Sequence, residues 1–184
     1  AVVLAPHFGA WEYMGIYLQQ YPDIGILYKP PSDPKLEKAL LDRRKRAGGL
    51  LIGATGAGIR KLYAHVKAGH VVGILPDQQP SRGQGRFAPF FDNQALTGVL
   101  VPRLVQRTGC LVLACICERL DGGRYRVHAL PVSDDVYSED IDVSLAAVNR
   151  AVEDCIAITP AQYLWSYRRF KKQPEGSPPF YDFR

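Results

Sequence analysis

No apolar run in this 184-residue sequence reaches the roughly 18–20 positions that a membrane-crossing helix needs. The opening residues carry no signal-peptide pattern. Internal repeats and low-complexity linkers are also missing, which excludes solenoids and tethered arrays. Cysteine is scarce: Cys110, Cys115, Cys117 and Cys155 are all there is. Cys115 and Cys117 fall on one face of an apolar run, but no second pair stands at metal-site spacing. That argues against a zinc site and reads the four as reduced core residues in a cytosolic setting. The net charge is only +5, and no nucleic-acid recognition motif accompanies it, so nucleic acid is not expected as a partner.

What is present fits one soluble globular domain over residues 1–184, with 47% hydrophobic and 22% charged residues. The chain opens without Met, directly on the strand-like Ala1-Val2-Val3-Leu4-Ala5, as a trimmed catalytic domain would. Basic residues gather at Arg43–Arg46, Arg60-Lys61 and Arg168–Lys172. Such groups suit phosphates, an anionic membrane face or an acidic protein, although about half of them read as ordinary solvated surface.

Short apolar runs alternate with helix-period segments. Strands are expected at Val2–Ala5, Gly25–Tyr28, Leu50–Gly53, Val71–Leu75, Leu111–Cys117 and Tyr125–Leu130. Helices are expected at Glu12–Gln20, Lys35–Arg46, Ile59–Ala68, Val99–Arg107 and Val143–Ile158. Asp33-Pro34 is a helix start, Gly69 and Gly109 are helix stops, and Gly122-Gly123 is a hairpin turn. The alternation predicts an α/β fold with a mostly parallel central sheet flanked by helices. Ligands of such folds collect at the carboxyl ends of strands. Two segments lie there: Pro6–Glu12, and a connection of about twenty residues at Pro76–Thr97, longer than a plain loop. Within the latter, Gly83 and Gly85 with Arg82 and Arg86 read as a mobile loop.

The segment His7-Phe8-Gly9-Ala10-Trp11-Glu12 carries the chemistry. A reversal permitted by Gly9 brings the Glu12 carboxylate within reach of one imidazole nitrogen of His7. The carboxylate then fixes the tautomer, and the other nitrogen takes a proton from a hydroxyl. No Ser or Cys lies between the two, so the reading is direct attack of a substrate hydroxyl on an acyl carbonyl. Amide donors at the helix start are placed to stabilise the oxyanion. A structural His and a first-turn Glu favoured by the helix dipole are the plain alternatives.

Six segments occur in order: the one just described, Tyr28-Lys29-Pro30 with Asp33-Pro34, Arg44–Gly48, Gly73–Gln78, Phe87–Phe91 and Pro160–Lys171. Together they resemble the landmarks of the bacterial lipid A biosynthesis acyltransferases, the late lauroyl and myristoyl transferases. The resemblance implies transfer of a fatty acyl group from acyl carrier protein to a hydroxyl of a lipid A precursor glycolipid, without cofactor or metal. It implies a place at the inner membrane surface, on the cytoplasmic face, and an N-terminal membrane helix that this chain does not include. It maps catalysis onto His7 and Glu12, and substrate contacts onto Arg44 and Asp77. For Asp77 a turn carboxylate or a structural pair with an Arg is the alternative. Arg168, Arg169 and Lys171 are expected as phosphate or membrane contacts beside a packed Trp165. Two positions depart from the pattern: Ala10 where the family often has Asn, and Tyr167 where it usually has His. The alternatives are a phosphatidylinositol-mannoside or glycerophospholipid-type acyltransferase, or a non-catalytic lipid-binding domain of the same fold.

Overall fold

The computed structural model describes residues 1–181 except 19, 22, 31, 32, 34, 36, 37, 39, 40 and 43–49. Six strands form the main sheet: β1 (Val2–Leu4), β2 (Ile24–Tyr28), β3 (Leu50–Gly53), β4 (Val71–Ile74), β7 (Val112–Leu120) and β8 (Arg124–Pro131). Their order is β3-β2-β4-β1-β7-β8, with every pair parallel except β7–β8. Helices whose bounds lie wholly within the described residues are α1 (Trp11–Leu18), α2 (Gly56–Lys67), α3 (Leu100–Thr108) and α4 (Ile141–Ile158). The expected α/β architecture is therefore what forms. β1 lies between β4 and β7, and its Val2, Val3 and Leu4 are buried on both faces, as a central parallel strand requires.

The punctuation behaves as its chemistry dictates. Asp33 accepts the Lys35 amide N–H at 2.8 Å. Gly109 ends α3 in the left-handed conformation, at φ 59°. A short 3-10 turn at Asp121–Gly123 joins β7 to β8. The greater part of the helix expected over Lys35–Arg46 lies outside the described residues.

The stretch Pro76–Thr97, expected as a loop too long for a plain connection, has structure of its own. It contains an antiparallel hairpin of β5 (Gly85–Phe90) and β6 (Asn93–Gly98). The turn between them runs through Phe91 at φ 46° and Asp92 at φ 61°, a backbone that usually calls for Gly or Asn. No such pair flagged it in the sequence. Gly85 is there for space, not mobility: a Cβ would run into the Pro80 ring and the Thr97 carbonyl. Arg86 is held by an ion pair to Asp142 at 3.0 Å.

A buried polar chain secures this hairpin. Asn149 of α4 donates to the Pro89 carbonyl at 2.7 Å and shares a hydrogen bond with the Thr97 hydroxyl. Phe90, 2% exposed, anchors the same hairpin in the core, which stabilises it by about 2–3 kcal/mol.

Cys115, Cys117 and Cys155 are buried, and all four cysteines are free. Cys115 and Cys117 join one apolar cluster with Val3, Ala10 and Met14, in keeping with their shared strand face. Burial raises the thiols of Cys115 and Cys117, and pushes Cys155 up to about 12. Since the thiolate is the nucleophile, the native protein is expected to consume one equivalent of a thiol reagent at pH 8, at Cys110. All four equivalents should react in denaturant. More than one rapid equivalent from the folded chain would contradict the packing described here.

Candidate active site

β1 and β4 are hydrogen-bonded neighbours, with Leu4 in register with Ile74. His7 and Asp77 each lie three residues past that pair, at the carboxyl edge of the sheet. The Asp77 carboxylate grips the His7 loop twice. One oxygen accepts the His7 backbone N–H at 2.9 Å, and the other lies 2.8 Å from His7 Nδ1. His7 Nε2 is 3.2 Å from the side-chain nitrogen of Gln78. With Nδ1 donating to Asp77, Nε2 carries the lone pair and accepts from Gln78.

The carboxylate on the imidazole Nδ1 is Asp77, a partner that the sequence reading, with its attention on Glu12, had not named. Asp77 is 3% exposed, and a strand end delivers it straight across to its neighbour. Glu12, in the first turn of α1, is exposed and lines the same cleft as His7. Trp11 packs on His7, with ring centroids 5.6 Å apart.

The His7 loop is clamped on two sides. Gly9 donates to the Gln162 carbonyl at 2.9 Å, Ala10 donates to Cys117 at 2.8 Å, and Leu164 donates back to the His7 carbonyl at 3.1 Å. Phe8, fully buried, forms an isolated bridge to Tyr163. The C-terminal segment therefore forms part of the site's foundation. Tyr163 turns its hydroxyl to Asp77; burial, followed by the Asp77 charge, holds that hydroxyl well above the usual phenol range and hence neutral.

Arg169 does not sit on a basic rim. It is 3% exposed and donates to the Leu96 carbonyl and the Thr97 hydroxyl, both at 2.7 Å, with its guanidinium 5.4 Å from the Phe90 ring centre. Its pKa is lowered by burial, against the opposing pull of Tyr163 and Asp77. It ties the C-terminal segment to the hairpin and brings a positive charge near the buried Asp77. The exposed basic side chains beside it are Arg168 and Lys171. Trp165 is 55% exposed, yet it leans on Tyr163 and Phe91 and donates to the Pro160 carbonyl at 2.7 Å. Tyr167, at the position of the usual family His, accepts the Gln79 amide N–H at 2.8 Å. Arg44 lies outside the described residues.

A cavity of about 1150 Å³ opens at His7. One side lies between α1 and the sheet face bearing Gly73 and Ile26, and is apolar, with Met14, Gly15 and Leu18 on the helix side. The other lies under α2 and α3 against Leu27 and Ile74. A glycine at position 73, in the middle of the sheet, leaves open space where a side chain would stand. Among the described residues no group of three or more His, Cys, Asp or Glu is placed to hold a metal ion, and no helix is long and apolar enough to cross a membrane.

The chain is 31% identical over 175 residues to the lipid A biosynthesis lauroyltransferase of Escherichia coli (strain K12), covering 88% of this chain and 53% of that protein. It is 29% identical over 183 residues to the palmitoleoyltransferase of the same pathway name and organism, covering 98% of this chain and 58% of the relative. With the E. coli lipid A biosynthesis myristoyltransferase it shares 24% over 178 residues, or 95% of this chain and 54% of the relative. The chain thus spans little more than half the length of these curated relatives. A family model described as bacterial lipid A biosynthesis acyltransferase matches residues 1–172. The chain belongs to the bacterial lipid A biosynthesis acyltransferase family.

Proposed function

We propose that this domain transfers a fatty acyl group from acyl carrier protein to a hydroxyl of a lipid A precursor glycolipid, at the cytoplasmic face of the inner membrane. The observation that carries the reading is the imidazole of His7, pinned through Nδ1 by Asp77 and presenting Nε2 at the mouth of a large, mostly apolar cleft. The acceptor hydroxyl displaces the Gln78 amide and gives its proton to Nε2. Its oxygen attacks the thioester carbonyl, and amide donors in the first turn of α1 stabilise the resulting oxyanion. Collapse expels the carrier thiolate, which takes the proton back from the imidazolium. Asp77 holds the tautomer and offsets the charge of the imidazolium as it forms. Glu12 adds a second carboxylate to the cleft wall and acts on the acceptor side; Arg44, one of the residues picked out by the family resemblance, is assigned to acceptor contact. The acyl chain occupies the apolar side of the cavity over Gly73.

The test is transfer by the full-length protein in membranes, with acyl carrier proteins bearing chains of several lengths. Lipid A precursor is offered beside a lysophospholipid and a phosphatidylinositol mannoside. Acylation of the lipid A precursor at a rate well above the other two acceptors is expected. Preference for either of the others, or no transfer to any, overturns the proposal.

A further inference from the structure

The cleft has a second polar end. On the side beneath α2 and α3 its wall carries Arg103 and Arg107, one helical turn apart on α3, together with Tyr63 of α2. The Arg107 guanidinium lies 5.4 Å from the centre of the Tyr63 ring. Like charges at this spacing repel and destabilise a helix, and α3 has no acidic residue in its first turn to offset them. Arg86, Arg126 and Arg150 are paired with carboxylates, whereas neither Arg103 nor Arg107 has a salt bridge to a described residue. Burial raises Tyr63 above its ordinary value against the pull of both arginines, so its hydroxyl remains a donor. Two forked cations and a phenol thus border a cavity with no anion of their own.

Their place in the fold sets a distance. α3 ends at Gly109, and the chain enters β7 at Val112, which is in register with Val2 at the amino end of β1. His7 lies five residues further along the strand direction, which puts the Arg107 end of α3 on the order of 15 Å away at about 3.3 Å per residue, and Arg103, one helical turn back, roughly 5 Å nearer. Leu27, Ile59, Ile74 and Val101 line the space between.

We infer that Arg103, Arg107 and Tyr63 form a phosphate-ester subsite, which holds a phosphate of one substrate on the order of 15 Å from the bond that reacts at His7. The subsite rests on the proposed acyl transfer for its purpose, and its ligand chemistry has two sources: the phosphodiester of the donor's carrier arm or a sugar phosphate of the acceptor.

Binding is measured first, with octyl phosphate as the probe and octyl glucoside as its uncharged counterpart, by titration calorimetry. The wild-type chain is expected to favour octyl phosphate about tenfold or more. Arg103→Gln with Arg107→Gln should abolish that preference and leave octyl glucoside unchanged, while the double Lys variant keeps part of it. Should the double Gln variant fail to fold, Arg107→Gln and Tyr63→Phe singly are read in the same way. Unaltered octyl phosphate binding in the variants overturns the subsite.

Kinetics then separate the sources. Acyl-phosphopantetheine is compared with acyl-pantetheine, and phosphorylated acceptor with its dephosphorylated form. In the wild type, kcat/KM should favour the phosphorylated member of one pair, and the double variant should lose that bias alone. A bias that survives in the variant overturns the subsite. Octyl phosphate binding that depends on the arginines, in a protein without acyl transfer, overturns the proposed function and supports the subsite.

Discussion

Asp77→Asn is expected to lower the turnover number for acyl transfer about 10³–10⁴-fold while leaving the fold intact. The side chain is nearly isosteric and retains an acceptor for the His7 backbone N–H. What it loses is the charge, together with the certainty that Nδ1 is the protonated nitrogen. An amide facing Nδ1 can donate to it, which drives the proton to Nε2, the atom that must accept from the hydroxyl. A neutral amide also fails to stabilise the imidazolium. His7→Ala should cost at least as much, and the double variant little more than either alone, because the two act as a unit. Glu12→Gln keeps the Asp77 carboxylate on Nδ1 and is expected to raise the acceptor KM as well as lower kcat. An Asp77→Asn enzyme within tenfold of wild type, with Glu12→Gln almost inert, would falsify the assignment and return the orienting role to Glu12.

Gly9→Ala should disrupt both stability and rate. Gly9 sits at φ 53°, where a side chain costs about 1–2 kcal/mol. Its Cβ would collide with the Cys117 carbonyl oxygen and stand 2.9 Å from the Gln162 side-chain oxygen. Neither neighbour is free to yield: Cys117 belongs to β7 and also accepts from Ala10, while the Gln162 side chain bonds both the N–H and the carbonyl of Arg119. Overpacking against such atoms costs about 1–3 kcal/mol more. For a domain of this size the sum corresponds to a fall in Tm of roughly 5–15 °C. Because His7 is two residues away, kcat should fall further than stability alone explains, even well below Tm. A variant that melts within about 2 °C of wild type and keeps its rate would show that the loop has another path open to it.

The sheet was largely legible in the sequence. The six main strands and the helices α1, α2, α3 and α4 lie within a few residues of their expected bounds, because each is a short apolar run or a pattern of period 3.6, read locally. Adjacency of strands is not local. Nothing in the sequence around Val71–Leu75 says that this strand pairs with β1, and that pairing is what sets Asp77 opposite His7. Glu12 was five positions from His7 and therefore visible; Asp77 was seventy away. The β5–β6 hairpin escaped because Phe91 and Asp92 occupy a turn that tertiary contacts enforce, including the Glu153 carboxylate accepting the Phe91 N–H at 3.0 Å. Arg169 was misplaced for a related reason. Its neighbours Arg168 and Lys171 are surface residues, and the Leu96 carbonyl, the Thr97 hydroxyl and Phe90 make a buried cation acceptable there. Asp77 itself was marked by the Pro76-Asp77 step at a strand end and by the family resemblance, and neither named its partner.

The bridge between Phe8 and Tyr163 also has a meaning in time. A ribosome delivers the His7 loop long before it delivers the segment that clamps it, so the geometry of the candidate site waits on a closure across about 150 residues. Local helices and the β5–β6 hairpin can form meanwhile, but a nascent chain released short of Tyr163 holds an unclamped histidine and an exposed Phe8. The clamp on the His7 loop is therefore expected to close late, after the contacts local in sequence.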